Sequence, residues 1–307
     1  GVLKHITAEA DDNTICKAKW PAATGGATVT PSDPMHEVIN IAMAQVIPDL
    51  VPAGGAHCSH GPNFSGTDPR TGDEFGAMLF NSSGGQGAAK EADGWPRFAT
   101  ISGMGGLRSA PVEEIELFYP IRVEQNEVET DAMGAGQWIG GPGVRTRYRP
   151  IGCGMDWHGV GEGLKNPPHG VNGGTMSPGG GIFIEHTDGS RTFTSSAGYA
   201  PIKEGEVWEG VSPGGGGWGN PLDRDAELVR SDLRDEWISE ETASDIFGVV
   251  VADDLERSLD VAATEARRVK LRTPRPMIEP ITAAAGTWTA RNMREGDRYL
   301  EAPTAQD

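Results

Sequence analysis

The stretch VSPGGGGWGNPLDRDAELVRSDLRDEWIS, residues Val211–Ser239, joins a run of four glycines to a charged segment with helical periodicity. Its apolar side chains recur every three or four positions, at Leu222, Ala226, Val229, Leu233 and Trp237. This spacing predicts a helix of about four turns whose apolar face is buried against the middle of the chain or a partner. The stretch therefore marks the change from a glycine-rich region to a helical one.

The glycine run raises the question of phosphate binding, because glycine loops before helices can cradle phosphates. A phosphate loop needs Lys followed by Ser or Thr after its glycines, and no Lys follows here. Asp223 and Asp225 instead occupy the predicted first helical turn, where their charge disfavours an anion. No strand–helix–strand unit of the size that dinucleotide binding needs surrounds the run. We interpret it as a crowded turn in which Trp218 anchors the start of the helix and glycine permits positive φ.

The composition is typical of a soluble protein with many turns. The chain has 307 residues, including 44 Gly and 22 Pro, which favours short strands and ordered loops over a helical bundle. A net charge of −18 repels phosphate backbones and anionic membranes, so we expect no nucleic acid and no membrane as partners. Three cysteines without a CxxC pair suit a reducing compartment, and we predict a cytoplasmic protein.

The succession of patterns predicts an α+β fold with β-rich mixed sheets, glycine-rich loops and a helical C-terminal segment. An early helix begins at Ser32 or Asp33 and ends before Pro48. Its apolar face is formed by Val38, Ile41, Ala42 and Val46. Residues 112–130 alternate apolar and polar side chains around Pro120, which predicts strands separated by a short break.

Turn and capping residues divide the rest of the chain. Asp188-Gly189 is typical of a hairpin turn, and Ser239 and Asp260 are suited to cap two helices, with a short strand GVVV between them. We predict an α+β domain over 1–125, a β-rich domain over 126–215, a helical segment over 216–275 and an extended tail over 276–307.

Four blocks of the sequence resemble the hydantoinase B family. The blocks are FNSSGGQGAAKEADGW, SAPVEEIELFYPIRVEQNEVETDAMGAGQWIGGPGV, NPPHGVNGGTMSPGG and SPGGGGWGNPLDRDAELVRSDLRDEWISEETASDIFGVVV. That family includes the metal-containing subunits of hydantoinases and 5-oxoprolinases and the alpha subunit of acetone-type carboxylases. The resemblance runs in order as far as about Arg272 and covers only the C-terminal half of the family pattern. The chain is therefore expected to be a natural half-subunit or a processed piece.

The resemblance implies a subunit of an ATP-dependent complex that carboxylates a ketone with bicarbonate or opens a cyclic amide such as hydantoin or oxoproline. The expected partners are a hydantoinase A-type subunit that binds ATP and a chain carrying the metal-binding N-terminal half of the B-type subunit. ATP and a divalent metal are expected on those partner chains, and none on this chain alone. The alternative is a non-catalytic subunit that only stabilises the assembly.

Four residues are candidates for chemistry. Arg108 matches the arginine of the family block and can clamp a planar anion with two hydrogen bonds, although an ion pair with Glu114 is an equal alternative. Glu114 belongs to an acidic cluster that can act in acid–base chemistry or simply face water. His57 and His60 have metal-ligand spacing, but no second cluster completes a site, so they can also contact substrate or be structural.

The segment ISGMGGLR before Arg108 lacks the histidines that many hydrolases of the family carry there. Ring opening needs a water activated by a base, so their absence favours carboxylation over hydrolysis. His158 and His169 flank a long Gly/Pro segment, which is more typical of a surface or interface loop than of a catalytic one.

Overall fold

A computed structural model of the chain describes residues 9–12, 14–22, 32–56, 61–98, 109–161, 163, 166–194, 197–278 and 297–299, together with the single residues 4 and 7. Two sheets and five helices lie in these ranges, which confirms the α+β prediction. The division into four sequence segments stays a prediction. Among the described residues, no helix combines the length and the apolarity needed to span a membrane.

The strands form one four-stranded and one six-stranded sheet. In the smaller sheet the order is β2 (Glu74–Met78), β1 (Asn63–Thr67), β5 (Met155–Val160) and β8 (Ala197–Ile202). In the larger sheet it is β10 (Arg298–Tyr299), β7 (Arg191–Phe193), β6 (Gly181–Glu185), β9 (Val207–Val211), β4 (Val144–Pro150) and β3 (Ile121–Val128). Strand β10 runs parallel to β7, and all other neighbouring strands are antiparallel.

Large aromatic side chains join the two sheets into one core. Phe64 of β1 packs edge-on against Tyr148 of β4 and Trp208 of β9, with ring centroids 5.6 Å apart in both pairs. Trp157 of β5 belongs to the same buried cluster. Strand β4 alternates buried and half-buried residues, as a strand with one face on a core does. The predicted hairpin at Asp188-Gly189 is confirmed, but residues 186–190 form a five-residue loop between β6 and β7 instead of a two-residue turn.

The helices are α1 (Ser32–Ala44), α2 (Val112–Phe118), α3 (Ala226–Arg234), α4 (Glu240–Asp245) and α5 (Val261–Leu271). The two predicted caps are confirmed, because Ser239 accepts a hydrogen bond from the amide of Thr242 and Asp260 accepts one from Ala263. These caps satisfy amides that the first turn of a helix leaves without a partner.

Three sequence-based expectations were wrong in detail. Residues 112–118 form α2 instead of a strand, because Glu113 and Glu114 in its first turn favour the positive end of a helix dipole. Helix α3 ends at Arg234 and is well short of four turns. Two residues later, Glu236 adopts a positive φ of 60°. The GVVV segment contributes only an isolated bridge between Val251 and Leu259.

Helix α1 is confirmed, but its apolar face is not buried. Val38 is 66% exposed and Val46 is 80% exposed, whereas Asp33 and Ala44 on the opposite face are buried. The helix therefore turns its polar face towards the protein and its apolar face towards solvent, the reverse of an ordinary surface helix.

Glycine-rich segments pack against one another beside the sheets. We call them the glycine hub: residues 53–56, 84–94, 132–143, 169–175 and 213–219. The amide of Gly216 donates to the carbonyl of Gly54 at 2.7 Å, and that of Gly215 donates to Gly141 at 2.8 Å. A Cβ atom at Gly215 would lie 1.9 Å from the carbonyl oxygen of Gln86. Glycine is required here because backbones approach too closely for any side chain.

The hub explains the glycine run of the opening stretch. Consecutive amides from Gly215 to Gly219 all donate to backbone carbonyls, so they are not available to a phosphate. This supports the interpretation as a structural loop, but two details were wrong. Only Gly219 has a positive φ, of 77°, and close approach accounts for the others. The indole of Trp218 donates to the carbonyl of Pro48 at 3.1 Å, so it anchors the turn after α1 instead of α3.

A buried arginine attaches α3 to the hub. Arg224 donates to both carboxylate oxygens of Asp93 at 2.8 and 2.9 Å and to Asp232 of α3 at 3.0 Å. The predicted apolar stripe is buried at Val229 and Leu233, where it packs in one cluster with Met133, Ile139 and Phe247. Side-chain burial and one ion-pair network thus hold the helical segment against the hub.

Candidate functional site

A cleft of about 120 Å³ lies between α1 and the hub. Four polar residues of α1 line it, namely Asp33, His36, Glu37 and Asn40, together with Gln86 and the chain from Pro52 to Ala56. The four are spaced i, i+3, i+4 and i+7, which places them on one helix face. The cleft is smaller than the roughly 300–1,000 Å³ of a pocket for a drug-sized ligand, so it can enclose only a small group.

Small residues bring α1 close enough to the hub to form this cleft. Ala44 is fully buried and packs in one cluster with Val51, Ala53 and Trp218. The indole bond from Trp218 to Pro48 fixes the turn that returns the chain from α1 to the hub. The polar face of α1 is held inward by these contacts, so its carboxylates line the cleft.

Glu37 is bonded to a buried histidine of the hub. Nδ1 of His169 donates to the carboxylate of Glu37, and the side chain of His169 is only 1% exposed. Gly54 makes room for the pair, because a Cβ atom there would lie 2.1 Å from Oε1 of Glu37 and 2.8 Å from Nδ1 of His169. The pair therefore depends on a glycine between its two members.

The other ring nitrogen of His169, Nε2, is an acceptor without a donor among the described residues. With Nδ1 carrying the proton, Nε2 holds a lone pair, and it is buried without a hydrogen-bond partner among the described residues. Leaving a buried acceptor unpaired costs about 1–3 kcal/mol. A histidine oriented by a carboxylate is also the arrangement in which imidazole takes up protons or binds ligands. The Glu37–His169 pair is thus a candidate acid–base couple beside the cleft.

The residues expected from the sequence are only partly visible. Glu114 is an exposed residue in the first turn of α2 and does not line the cleft. Arg108, His57 and His60 lie outside the described residues, so their roles stay predictions. Within the described residues, no three side chains of His, Cys, Asp or Glu stand close enough to hold a metal ion.

The segment between His158 and His169 lies partly outside the described residues, so its interpretation as a surface or interface loop stays a prediction, whereas His169 itself is buried. Glu37 was not considered. A signal for the site exists in the sequence, since polar residues at 33, 36, 37 and 40 share one helix face. The pairing itself joins residues 132 positions apart, which no local pattern shows.

These features define a class of protein: an α+β chain whose backbone-packed hub forms a small cleft with α1, where Glu37 lines the cleft and is bonded to the buried His169. The model of the hydantoinase B/oxoprolinase family matches residues 1–221. The chain therefore belongs to that family, as the resemblance implied.

Comparisons with individual proteins agree with the family. The chain is 35% identical over 261 residues to the caprolactamase subunit beta of Pseudomonas jessenii, across 83% of this chain and 44% of that subunit. The crystal structure of the ATP-dependent caprolactamase from that organism superposes with a TM-score of 0.71 at 30% identity, covering 83% of this chain and 45% of the other.

A nucleotide-free structure of acetone carboxylase superposes with a TM-score of 0.60 at 20% identity, which shows a shared fold. It covers 75% of this chain and 35% of the carboxylase chain. The chain thus spans less than half the length of these relatives.

Proposed function

We propose that this chain is part of the B-type subunit of an ATP-dependent, cytoplasmic enzyme complex that opens a cyclic amide. The observation that carries the choice of a cyclic amide is the similarity to the ATP-dependent caprolactamase, and the Glu37–His169 pair beside the cleft supplies the candidate base. A hydantoinase A-type subunit would bind ATP, and the rest of the B-type subunit would hold a divalent metal. These partners and cofactors rest on the family resemblance.

Ring opening requires a proton acceptor. In the proposed reaction the A-type subunit transfers the γ-phosphoryl group of ATP to the amide oxygen, which makes the adjoining carbon electrophilic. Water adds to that carbon and gives its proton to a base. The carbon–nitrogen bond then breaks as the nitrogen takes a proton, which leaves an acyl phosphate. A second water hydrolyses the acyl phosphate to the carboxylate and inorganic phosphate. Glu37 lines the cleft and is the candidate base, with His169 sharing the proton through their hydrogen bond.

Carboxylation of a ketone remains the second reaction that this family supports, and it also needs a base, to remove a proton from carbon. The pair alone therefore does not separate the two reactions. The degree of similarity favours the cyclic amide, because the caprolactamase structure matches at 30% identity and a TM-score of 0.71, against 20% and 0.60 for the carboxylase. In this proposal Glu37 is the base. The absence of histidines before Arg108 therefore no longer argues against hydrolysis.

The test uses the complex purified from its host through a tag on this chain. It is supplied with ATP and, separately, caprolactam, hydantoin, 5-oxoproline, or acetone with labelled bicarbonate. We expect ring opening coupled to ADP formation with a cyclic amide and no label fixed into acetone. Label fixation without ring opening would reverse the choice of reaction.

A variant tests the role of the cleft in the same complex. Glu37→Gln keeps the shape of the side chain but removes the base, so turnover should fall about 100-fold or more. Glu265→Gln, on the exposed side of α5, is the matched control and should keep normal turnover. An assembled Glu37→Gln complex with unchanged turnover would favour the non-catalytic assembly role instead.

A further inference from the structure

A continuous apolar surface covers the outer side of α1 and the turn that follows it. We call this surface the outer stripe, and its members are Met35, Val38, Ile39, Met43, Val46, Ile47 and Leu50. Each is at least 36% exposed, and Leu50 is 79% exposed. The one charged residue within this stretch after Glu37 is Asp49, which is paired with Lys90 at 2.6 Å.

The outer stripe is not an ordinary surface. Single exposed apolar residues are common, but a contiguous group of this size on one face marks an interaction site. The opposite face of the same helix already carries the polar groups of the cleft and is held inward by Ala44. The helix therefore cannot rotate to bury its apolar face without exposing Ala44 and breaking the Glu37–His169 bond.

We infer that the outer stripe is the docking surface for the remaining part of the B-type subunit, the region that relatives carry and this sequence does not span. The inference rests on the proposed function. The chain covers 44% of the length of the caprolactamase subunit beta, so more than half of such a subunit lies outside the matched region. In the relative both regions belong to one polypeptide, which holds the unmatched region at a high local concentration beside the matched one.

The composition of the stripe favours a permanent partner over a transient one. Permanent interfaces resemble a core cut in half, whereas transient ones carry a larger share of polar groups. The stripe consists of Met, Val, Ile and Leu side chains without a charge among them. A partner that grips α1 from outside also holds in place the helix that carries Glu37, so docking would steady the cleft.

Photo-crosslinking from the centre of the stripe tests the occupant. In the complex purified through a tag on this chain, Ile39→p-benzoylphenylalanine is irradiated and the crosslinked peptides are identified by mass spectrometry. We expect crosslinks to a sequence that aligns with the unmatched region of the caprolactamase subunit beta. Crosslinks to the A-type subunit, crosslinks between two copies of this chain, or their absence in the intact complex would each overturn the inference.

A charge placed in the outer stripe tests independently whether this surface is needed for association with the rest of the B-type subunit. Ile39→Glu should weaken association with the rest of the B-type subunit at least tenfold, while the isolated chain keeps its melting temperature, because Ile39 is 54% exposed there. Leu255→Glu, at a fully exposed leucine away from α1, is the control and should change neither quantity.

The two proposals can fail separately. A complex that shows these crosslinks but opens no cyclic amide would leave docking intact and remove the proposed reaction. Normal association of Ile39→Glu in an active complex would remove the docking inference and leave the proposed reaction intact.

Discussion

Helices α1 and α3 are both amphipathic in sequence, but they place their apolar faces in opposite environments. On α3, Val229 is fully buried and Leu233 is 3% exposed, whereas on α1 Val38 is 66% exposed and Val46 lies just beyond its end at 80%. Periodicity identifies which face of a helix is apolar, but it does not identify what covers that face. In α3 the cover is the hub of the same chain, and for α1 we propose that it is another part of the subunit.

The difference has a local cause. The polar side of α1 has partners inside the chain, because Glu37 meets His169 and Ala44 packs against the hub. The polar side of α3 has solvent, apart from Asp232, which is paired with Arg224. The contacts within the chain orient each helix. This orientation decides whether the apolar face of the helix is buried or exposed.

The largest expected effect comes from the ion-pair network that attaches α3. Arg224→Met should lower the free energy of unfolding by about 3–5 kcal/mol, because it leaves Asp93 and Asp232 without their shared cation in a buried site. Arg272→Met is the control, since Arg272 pairs with Asp223 at the surface and its loss should cost less than about 1 kcal/mol. Urea unfolding of both variants measures the difference, and equal effects would show that the network does not hold the helix.

Truncating the apolar side chains tests the comparison directly. Leu233→Ala should cost roughly 2–5 kcal/mol, because it opens a cavity in the cluster with Phe247. Leu228→Ala on the same helix is the control, since that side chain is 40% exposed. Ile39→Ala on α1 should change the isolated chain by no more than about 0.5 kcal/mol. A large loss from Ile39→Ala would mean that the outer stripe is covered within the chain itself.

The smallest effect concerns pH. Burial raises the pKa of Asp232 to about 6 from its ordinary value of 3.8, even though Arg224 opposes the change. Between pH 3.8 and 6 the folded protein therefore keeps a proton on Asp232 that the unfolded chain releases. This contribution to stability is complete below pH 3.8 and is lost as the pH rises through 6. The full loss is on the order of 3 kcal/mol, of which about 2 kcal/mol falls between pH 4.5 and pH 7.5.

Urea unfolding at pH 4.5 and pH 7.5 measures that contribution as the difference between the parent protein and Asp232→Asn, which cannot titrate. Glu265→Gln, on the exposed side of α5, is the control and should leave the pH dependence unchanged. A parallel course of the parent and Asp232→Asn would show that Asp232 titrates at its ordinary value.

Local signals in the sequence were reliable where local contacts decide the structure. The caps at Ser239 and Asp260, the turn at Asp188-Gly189 and the start of α1 were all predictable, because each depends on residues within one turn. The strand predicted over 112–118 was wrong because a short alternating stretch also fits about two turns of helix, and the acidic residues at its start favour the helix.

Long-range contacts were the part that the sequence did not reveal. The glycines of the hub have no side chain whose pattern could be read, and their partners are carbonyls of segments distant in the chain. Glu37 and His169 each look unremarkable locally, and only their meeting across 132 positions makes them a pair. The expected reactions came from the family resemblance, because neither helical periodicity nor motif spacing indicates a reaction.

The glycine hub sets a limit on how fast the chain can fold. Its hydrogen bonds join five segments, such as Gly54 with Gly216 and Gly134 with Gly215, so several long loops must close before any of these bonds can form. No helix or strand can nucleate it, since it contains neither. We therefore expect its amides to gain protection from hydrogen exchange last during refolding, and to lose it only when the whole domain opens.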